Sequence, residues 1–268
     1  MREILERAAL LKRSRRARWR ERAFFAEGVR ALDRGRSRGW ESLAWLYARE
    51  KPLSRWATEI LEGAPGARVF EVPADSLGEL SDKDEPSELV AIWRMPEDSL
   101  SRIPHPERLR VVIADRPGSP GNLGALLRTC DAFGVHGLIV LGHACDPYDP
   151  RVVRASAGSS FSVPVARLES PRRLGEWFAE LRRAGRALTV WGTSARADCP
   201  LAEAPISDAM ALVLGSETSG MSHAVRELCN VTVSIPMEGE ATSLNVTSAG
   251  AILLHEMRRR SDATLTGR

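Results

Sequence analysis

Five continuous apolar runs organise the C-terminal part of the chain: LRVVIAD (109–115), GLIVLG (137–142), RALTVWG (186–192), MALVLG (210–215) and VTVSIP (231–236). Between and after them lie the helical stretches NLGALLRTCDAF, PRRLGEWFAELRRAG, SHAVRELC and LNVTSAGAILLHEMRRR. A strand with one wet face alternates apolar and polar residues, whereas an unbroken apolar run needs cover on both faces. The pattern therefore predicts an α/β fold, a parallel sheet with helices on both faces.

Residues 1–98 read differently. Helical stretches (FFAEGVRALDRG, LSRWATEILEG) mix with short strand-like ones (ESLAWLYA, ARVFEVP, SELVAIWR), which suits a smaller α/β domain. PEDSLSRIPHPE is rich in proline and has no apolar period, so it reads as a linker. The predicted division is thus 1–98, a linker at 99–107, and 108–268. A chain of 268 residues suits two domains of ordinary size. No run approaches the roughly 18 apolar residues of a membrane span. The opening MREILERAALLKRSRRARWRER has acids among its bases and no signal-peptide apolar core, so a cytoplasmic protein is expected.

The net charge of +3 is unevenly spread. Residues 1–50 carry 14 Arg and Lys against 7 Asp and Glu, a balance of +7, so the remainder carries −4. LKRSRRARWR holds Arg13, Arg15, Arg16 and Arg18 beside Trp19. Arg makes bidentate phosphate contacts and stacks on bases, so this stretch suits RNA. It equally suits a solvated amphipathic helix in a chain with only three Lys, and from these residues alone the two readings stand level.

In open α/β sheets, ligands bind beyond the carboxyl ends of the strands. Three runs end there in loops of Gly, Pro and small polar residues: RPGSPGNLGALLR after VVIAD, SETSGMS after ALVLG, and PMEGEATSLN after VTVSI. Parallel strands bring all three loops to one edge, which predicts a site there. Asn122 stands where a helix begins and can cap it. Arg128 lies two turns further, opposite a stripe of Leu123, Leu126, Leu127, Cys130 and Phe133. Gly215, Glu217 and Gly220 form a G-x-E-x-x-G loop, followed by Ser222 as a possible helix cap. Thr242, Ser243 or Asn245 can each cap the last helix, and capping accounts for only one of them.

Several classes of chemistry drop out. No G-x-G-x-x-G follows a strand and no G-x-x-x-x-G-K-[ST] occurs, so neither dinucleotide nor P-loop nucleotide binding is expected. Cys130, Cys145, Cys199 and Cys229 form no C-x-x-C pair, and the five His show no ligand spacing, so neither a disulfide framework nor a metal site is predicted.

The stretches PGNLGALLRTCDAFG, RVVRASAGSSFSVPV, ALVLGSETSGMS and IPMEGEATSLNVTSAGAILLHE, in this order, resemble the SpoU (TrmH-like) family of RNA 2′-O-ribose methyltransferases, within the SPOUT class. Residues 1–98 are more loosely similar to the RNA substrate-binding domain many members carry. The resemblance implies a C-terminal trefoil knot, a homodimer with sites across its interface, and S-adenosylmethionine as methyl donor, with no metal. By motif, it makes Asn122, Arg128, Glu217, Ser243 and Asn245 catalytic. Thr193, Gly215, Gly220, Ile235, Met237 and Leu244 would surround the cofactor, and Arg154 would join the N-terminal arginines on RNA. Ribosomal RNA is the favoured substrate, with tRNA the alternative. A non-catalytic RNA-binding dimer of the same fold and a base methyltransferase are the competing readings. Thr218-Ser219, His255 and Ala157 depart from residues common in the family, the last standing where resistance-type members carry a second Arg.

Overall fold

The structure is a computed structural model that describes residues 1–64, 66–82, 85–197 and 199–266, of which 262–266 are described in backbone alone. The N-terminal elements are α1 (Arg2–Arg13), α2 (Arg15–Glu21), β1 (Ala23–Glu27), α3 (Val29–Ser37), β2 (Ser42–Ala48), α4 (Arg55–Glu62), β3 (Arg68–Val72), α5 (Ala74–Leu80) and β4 (Leu89–Arg94). Then come β5 (Arg110–Asp115), α6 (Pro120–Ala132), β6 (Gly137–Leu141), α7 (Pro150–Ala155), β7 (Val165–Leu168), α8 (Pro171–Arg183) and β8 (Leu188–Thr193). The chain finishes with β9 (Cys199–Pro200), β10 (Ala209–Leu214), α9 (His223–Arg226), β11 (Val231–Ser234) and α10 (Val246–Thr266).

Contacts divide the chain into two compact units, Met1–Glu97 with Asp146–Ser162, and Asp98–Cys145 with Val163–Arg268. Unit one is built on a four-stranded sheet in the order β1-β4-β2-β3, with β4 antiparallel to both neighbours and β2 parallel to β3. Alternate residues serve its two faces. Phe25, Leu46 and Ile92 pack with Ala8 and Leu11 of α1, while Phe24, Trp45 and Trp93 pack with Leu32 of α3 and Ile60 of α4. The sequence reading made FFAEGVRALDRG one helix; FFAE is strand, and the helix begins at Val29. All five residues of β1 are buried, which a one-sided helix does not require, and Gly28 turns the corner at φ +97°.

Segment 146–162, given to the C-terminal domain on sequence, packs in unit one, where Tyr148, Val153 and Phe161 join the same core as Phe24 and Trp93. Arg18 ties it down. This residue is 1% exposed, and its guanidinium donates to Asp146 Oδ2 at 2.7 Å and to the Leu11 carbonyl at 2.8 Å, with Asp149 at 3.5 Å. Trp19 Nε1 donates to Asp146 Oδ1 at 3.2 Å. Arg18 is therefore part of the interior of unit one, and the RNA contact expected of it is corrected: a buried, paired guanidinium cannot reach a phosphate.

Unit two holds a seven-stranded sheet, β7-β6-β5-β10-β8-β11-β9, in which every neighbouring pair is parallel. This is the α/β architecture that the apolar runs predict; β7 and β9, four and two residues long, were not foreseen. Val111, Ile113, Ile139, Ala211 and Val213 face Leu174, Trp177 and Phe178 of α8 and Val225 of α9. The opposite face is covered by α6 and α10. A Cβ at Gly250 would stand 3.1 Å from Leu214 and 3.2 Å from Leu126, which is how closely α10 seats on them.

Ser119, not Asn122, caps α6: its Oγ accepts from the Asn122 N–H at 3.3 Å, with Pro120 in the first helical turn. That leaves the Asn122 side chain free for other partners. Of the three candidate caps for α10, Asn245 does the work, its Oδ1 accepting from the Thr247 N–H at 2.9 Å. The Ser222 side chain makes no capping bond. Among the described residues, no helix is long and apolar enough to cross a membrane.

Candidate active site

Because the strands are parallel, the carboxyl ends of β5, β8, β10 and β11 open on one edge, and a cavity of about 540 Å³ lies there. Its walls come from the ends of β8, β10 and β11 and the loops that follow them, with Asn122 of α6, Arg226 of α9 and Leu253 of α10 added.

The loop after β10 is shaped by backbone. Ser216 and Gly220 exchange two hydrogen bonds, N to O at 3.1 Å and N to O at 2.9 Å in return, closing a tight turn. Gly220 takes φ +65°, and a Cβ on Gly215 would fall 2.2 Å from the Met221 nitrogen. Both glycines are thus dictated by geometry. The turn lifts Glu217 to its tip. There Asn122 Nδ2 donates to Glu217 Oε1 at 2.7 Å, and Asn245 Nδ2 donates to Asn122 Oδ1 at 3.2 Å. Three residues, one from each of the three polar loops, form a single chain of hydrogen bonds.

The base of the same loop is clamped by two residues the sequence reading passed over. Asp115, 2% exposed at the end of β5, accepts from the Ser222 N–H at 2.6 Å and from Arg116 Nε at 3.2 Å. Arg116 Nη2 donates to the Gly220 carbonyl at 3.1 Å. Arg116 adopts φ +55°, an uncommon conformation for a residue with a side chain, held here by these bonds. A positively charged residue directly after an apolar strand ending in Asp was the available signal.

Asn122, Glu217, Ser243 and Asn245 line the cavity, as do Thr193, Gly215, Gly220, Ile235, Met237 and Leu244. Thr193 Oγ1 donates to the Val213 carbonyl at 2.9 Å, leaving its lone pairs to accept. Arg128 is not among the lining residues. It is exposed on α6, and its side chain makes no hydrogen bond or ion pair among the described residues. In unit one Arg13, Arg15, Arg16 and Arg154 are exposed, Arg154 with Asp82 at 3.7 Å. Arg226, which the sequence reading did not single out, stands in the cavity wall. Burial pushes the Cys229 thiol up to about 11 and the Cys130 thiol further still, so both stay protonated and act as packing. Among the described residues, no three His, Cys, Asp or Glu are gathered as a metal ion would need.

Such a cavity suits a ligand with an apolar ring and a polar tail. Ile235, Met237, Leu244 and Leu253 supply apolar surface, while Asn122, Thr193, Ser243 and Asn245 supply hydrogen-bonding groups. Residues 109–255 match the SpoU rRNA Methylase family, and residues 6–91 match the SpoU L30e-like domain. The chain belongs to the SpoU rRNA methylase family. The 23S rRNA (uridine(2479)-2′-O)-methyltransferase of Streptomyces viridochromogenes is 42% identical over 248 residues, covering 92% of this chain and 86% of that protein. The 23S rRNA (guanosine(2553)-2′-O)-methyltransferase RlmP of Bacillus subtilis is 31% identical over 193 residues, covering 72% and 73%. Among solved structures, the SpoU methyltransferase AviRb of S. viridochromogenes, in complex with the cofactor AdoMet, matches with a TM-score of 0.92 at 41% identity. That match covers 96% of this SpoU chain and 97% of AviRb.

Proposed function

We propose that this protein is an S-adenosylmethionine-dependent RNA 2′-O-ribose methyltransferase acting on 23S ribosomal RNA. The observation that carries the reading is the Glu217–Asn122–Asn245 chain of hydrogen bonds on the wall of the strand-end cavity. The two named relatives, both 23S rRNA 2′-O-methyltransferases, favour ribosomal RNA over tRNA as substrate.

The residues present fit the cofactor. A volume of about 540 Å³ lies in the range that encloses a ligand of its size. The apolar side chains of Ile235, Met237, Leu244 and Leu253 suit an adenine ring, and the loop around Gly215 and Gly220 lets backbone approach closely. When bound, S-adenosylmethionine supplies a methyl group activated on a sulfonium.

The remaining chemistry belongs to the protein. A ribose 2′-OH is a poor nucleophile near neutral pH, so its proton must be drawn away and the oxygen held in line. Asn122, fixed from both sides by Glu217 and Asn245, and the Ser243 hydroxyl are the polar groups that orient it. Arg128 favours the developing alkoxide and the adjoining phosphate by its charge; positioned charge of this kind is often the largest catalytic contribution. Arg128 lies six residues along α6 from Asn122, about 9 Å along the axis. A homodimer that closes over the exposed α6–α10 face brings that charge into a shared site. The open Arg128 and the 41% exposed Ile252 on that face support this assembly. The match of residues 109–255 to the SpoU family supports a trefoil knot at the C-terminal end of the sheet. Arg13, Arg15, Arg16 and Arg154 are the arginines that meet RNA, and the protein works in the cytoplasm, where ribosomal RNA is found.

Purified protein incubated with S-adenosylmethionine and ribosomal RNA should yield 2′-O-methylated nucleosides on digestion and mass spectrometry. A methyl group found on a base, or no cofactor binding by calorimetry, sinks the proposal.

A further inference from the structure

Among the described residues that line the cavity, one is acidic, Glu217, and one is basic, Arg226. They differ in state. Glu217 is engaged by Asn122 at 2.7 Å, whereas the Arg226 guanidinium has no hydrogen bond or ion pair with any described residue. They also stand on different walls. Glu217 is tied to the α6 and α10 side through Asn122 and Asn245. Arg226 is close enough to Cys229 for its charge to work against burial on that thiol, and the Cys229 sulfur sits 2.9 Å from where a Gly192 Cβ would be. The Cys229 N–H also donates to the Arg226 carbonyl at 3.0 Å, which sets Arg226 on the β8 side of a cavity whose wall includes Thr193, Ser194 and Ala195.

We propose that Arg226 binds the α-carboxylate of the methyl donor and so sets which end of the cavity receives its amino-acid tail. The inference rests on the reading of the cavity as an S-adenosylmethionine site. A donor of this kind carries one anionic group, its carboxylate, and among the described residues that line the cavity Arg226 is the one basic side chain placed to meet it. A guanidinium gives a carboxylate two parallel charge-assisted hydrogen bonds, which lysine cannot reproduce in that geometry. With the tail held by β8, the sulfur end lies toward Asn122 and Asn245, where the hydroxyl is oriented. Arg226 in this role is a binding and positioning residue, with no part in bond making.

The test is calorimetry with two probes. S-adenosylhomocysteine carries the carboxylate; decarboxylated S-adenosylmethionine keeps the amine and lacks it. Arg226→Ala is expected to weaken S-adenosylhomocysteine about 10- to 100-fold and to leave the decarboxylated compound within about twofold. Arg226→Lys should recover part of the loss. Arg226 is exposed on a short helix, so both variants should unfold at the wild-type temperature. Equal loss for both probes, or no loss for either, overturns the inference. Unchanged affinity for S-adenosylhomocysteine together with a raised KM for RNA also overturns it, and assigns Arg226 to a phosphate instead. Failure of the wild-type protein to bind S-adenosylhomocysteine overturns the cofactor reading itself, a result distinct from the other three.

Discussion

In unit one, Arg18 and Asp146 meet at 2.7 Å with side chains 2% and 3% exposed. In unit two, Asn122 and Glu217 meet at the same 2.7 Å on the wall of an open cavity. The first contact is closed on all sides: backbone carbonyls of Leu11 and Lys12, Trp19 and Asp149 complete it. The second keeps lone pairs and N–H groups turned toward solvent. A buried charge must be fully satisfied or it costs several kcal/mol, so the Arg18 cluster has no capacity left for a ligand. An exposed polar chain escapes that penalty and retains capacity to bind. Polar clusters of similar geometry thus hold a fold in one place and offer a site in the other, and burial decides which.

The comparison is tested most severely at Arg18. Arg18→Ala should destabilise unit one by about 3–5 kcal/mol in denaturant unfolding, since it leaves Asp146 buried and unpaired. A loss below ~1 kcal/mol would mean the cluster is dispensable. Arg128→Ala should do the reverse, lowering methyl transfer by roughly 10²–10³-fold while unfolding and cofactor affinity stay at wild-type values. Unchanged turnover removes Arg128 from the mechanism. Gly215→Ala, which sets a Cβ against the Met221 nitrogen, should cost about 1–3 kcal/mol and weaken cofactor binding in calorimetry.

Asn122→Ala should cost no more than about 1 kcal/mol of stability, because its partners stay solvated. Its turnover should nonetheless fall, and a variant that loses stability and keeps activity would reverse the contrast between the two clusters. The smallest effect is in pH. Burial acts to raise the Asp149 carboxyl, but hydrogen bonds from Arg151 and the charges of Arg151 and Arg18 outweigh it and hold the group below its usual range. A pKa lower in the folded than in the unfolded state contributes stability above about pH 4 and loses it as pH falls through the folded value. Asp149→Asn should therefore flatten the acid limb of the stability profile of unit one.

Much of the fold was legible because burial on two faces leaves a local record. The apolar runs at 109–115, 137–142 and 210–215 became β5, β6 and β10 with shifts of a residue at the ends. The convergence of three loops followed from the parallel arrangement alone, and it correctly brought Asn122, Glu217 and Asn245 together. The two-residue β9 was too short to show any period.

By itself, then, the sequence determined the α/β class, the sheet strands long enough to carry a pattern, the glycines of the 215–220 turn and the edge where the site lies. Only the tertiary structure decided that Arg18 is interior while Arg13 and Arg15 are outside, that residues 146–162 pack in unit one, and that Arg226 joins the cavity wall. The reason is range. Periodicity reports what a residue meets within a turn or two, whereas the fate of a charge is set by its partner in space. For Arg18 that partner is 128 residues away, and for Glu217 it is 95.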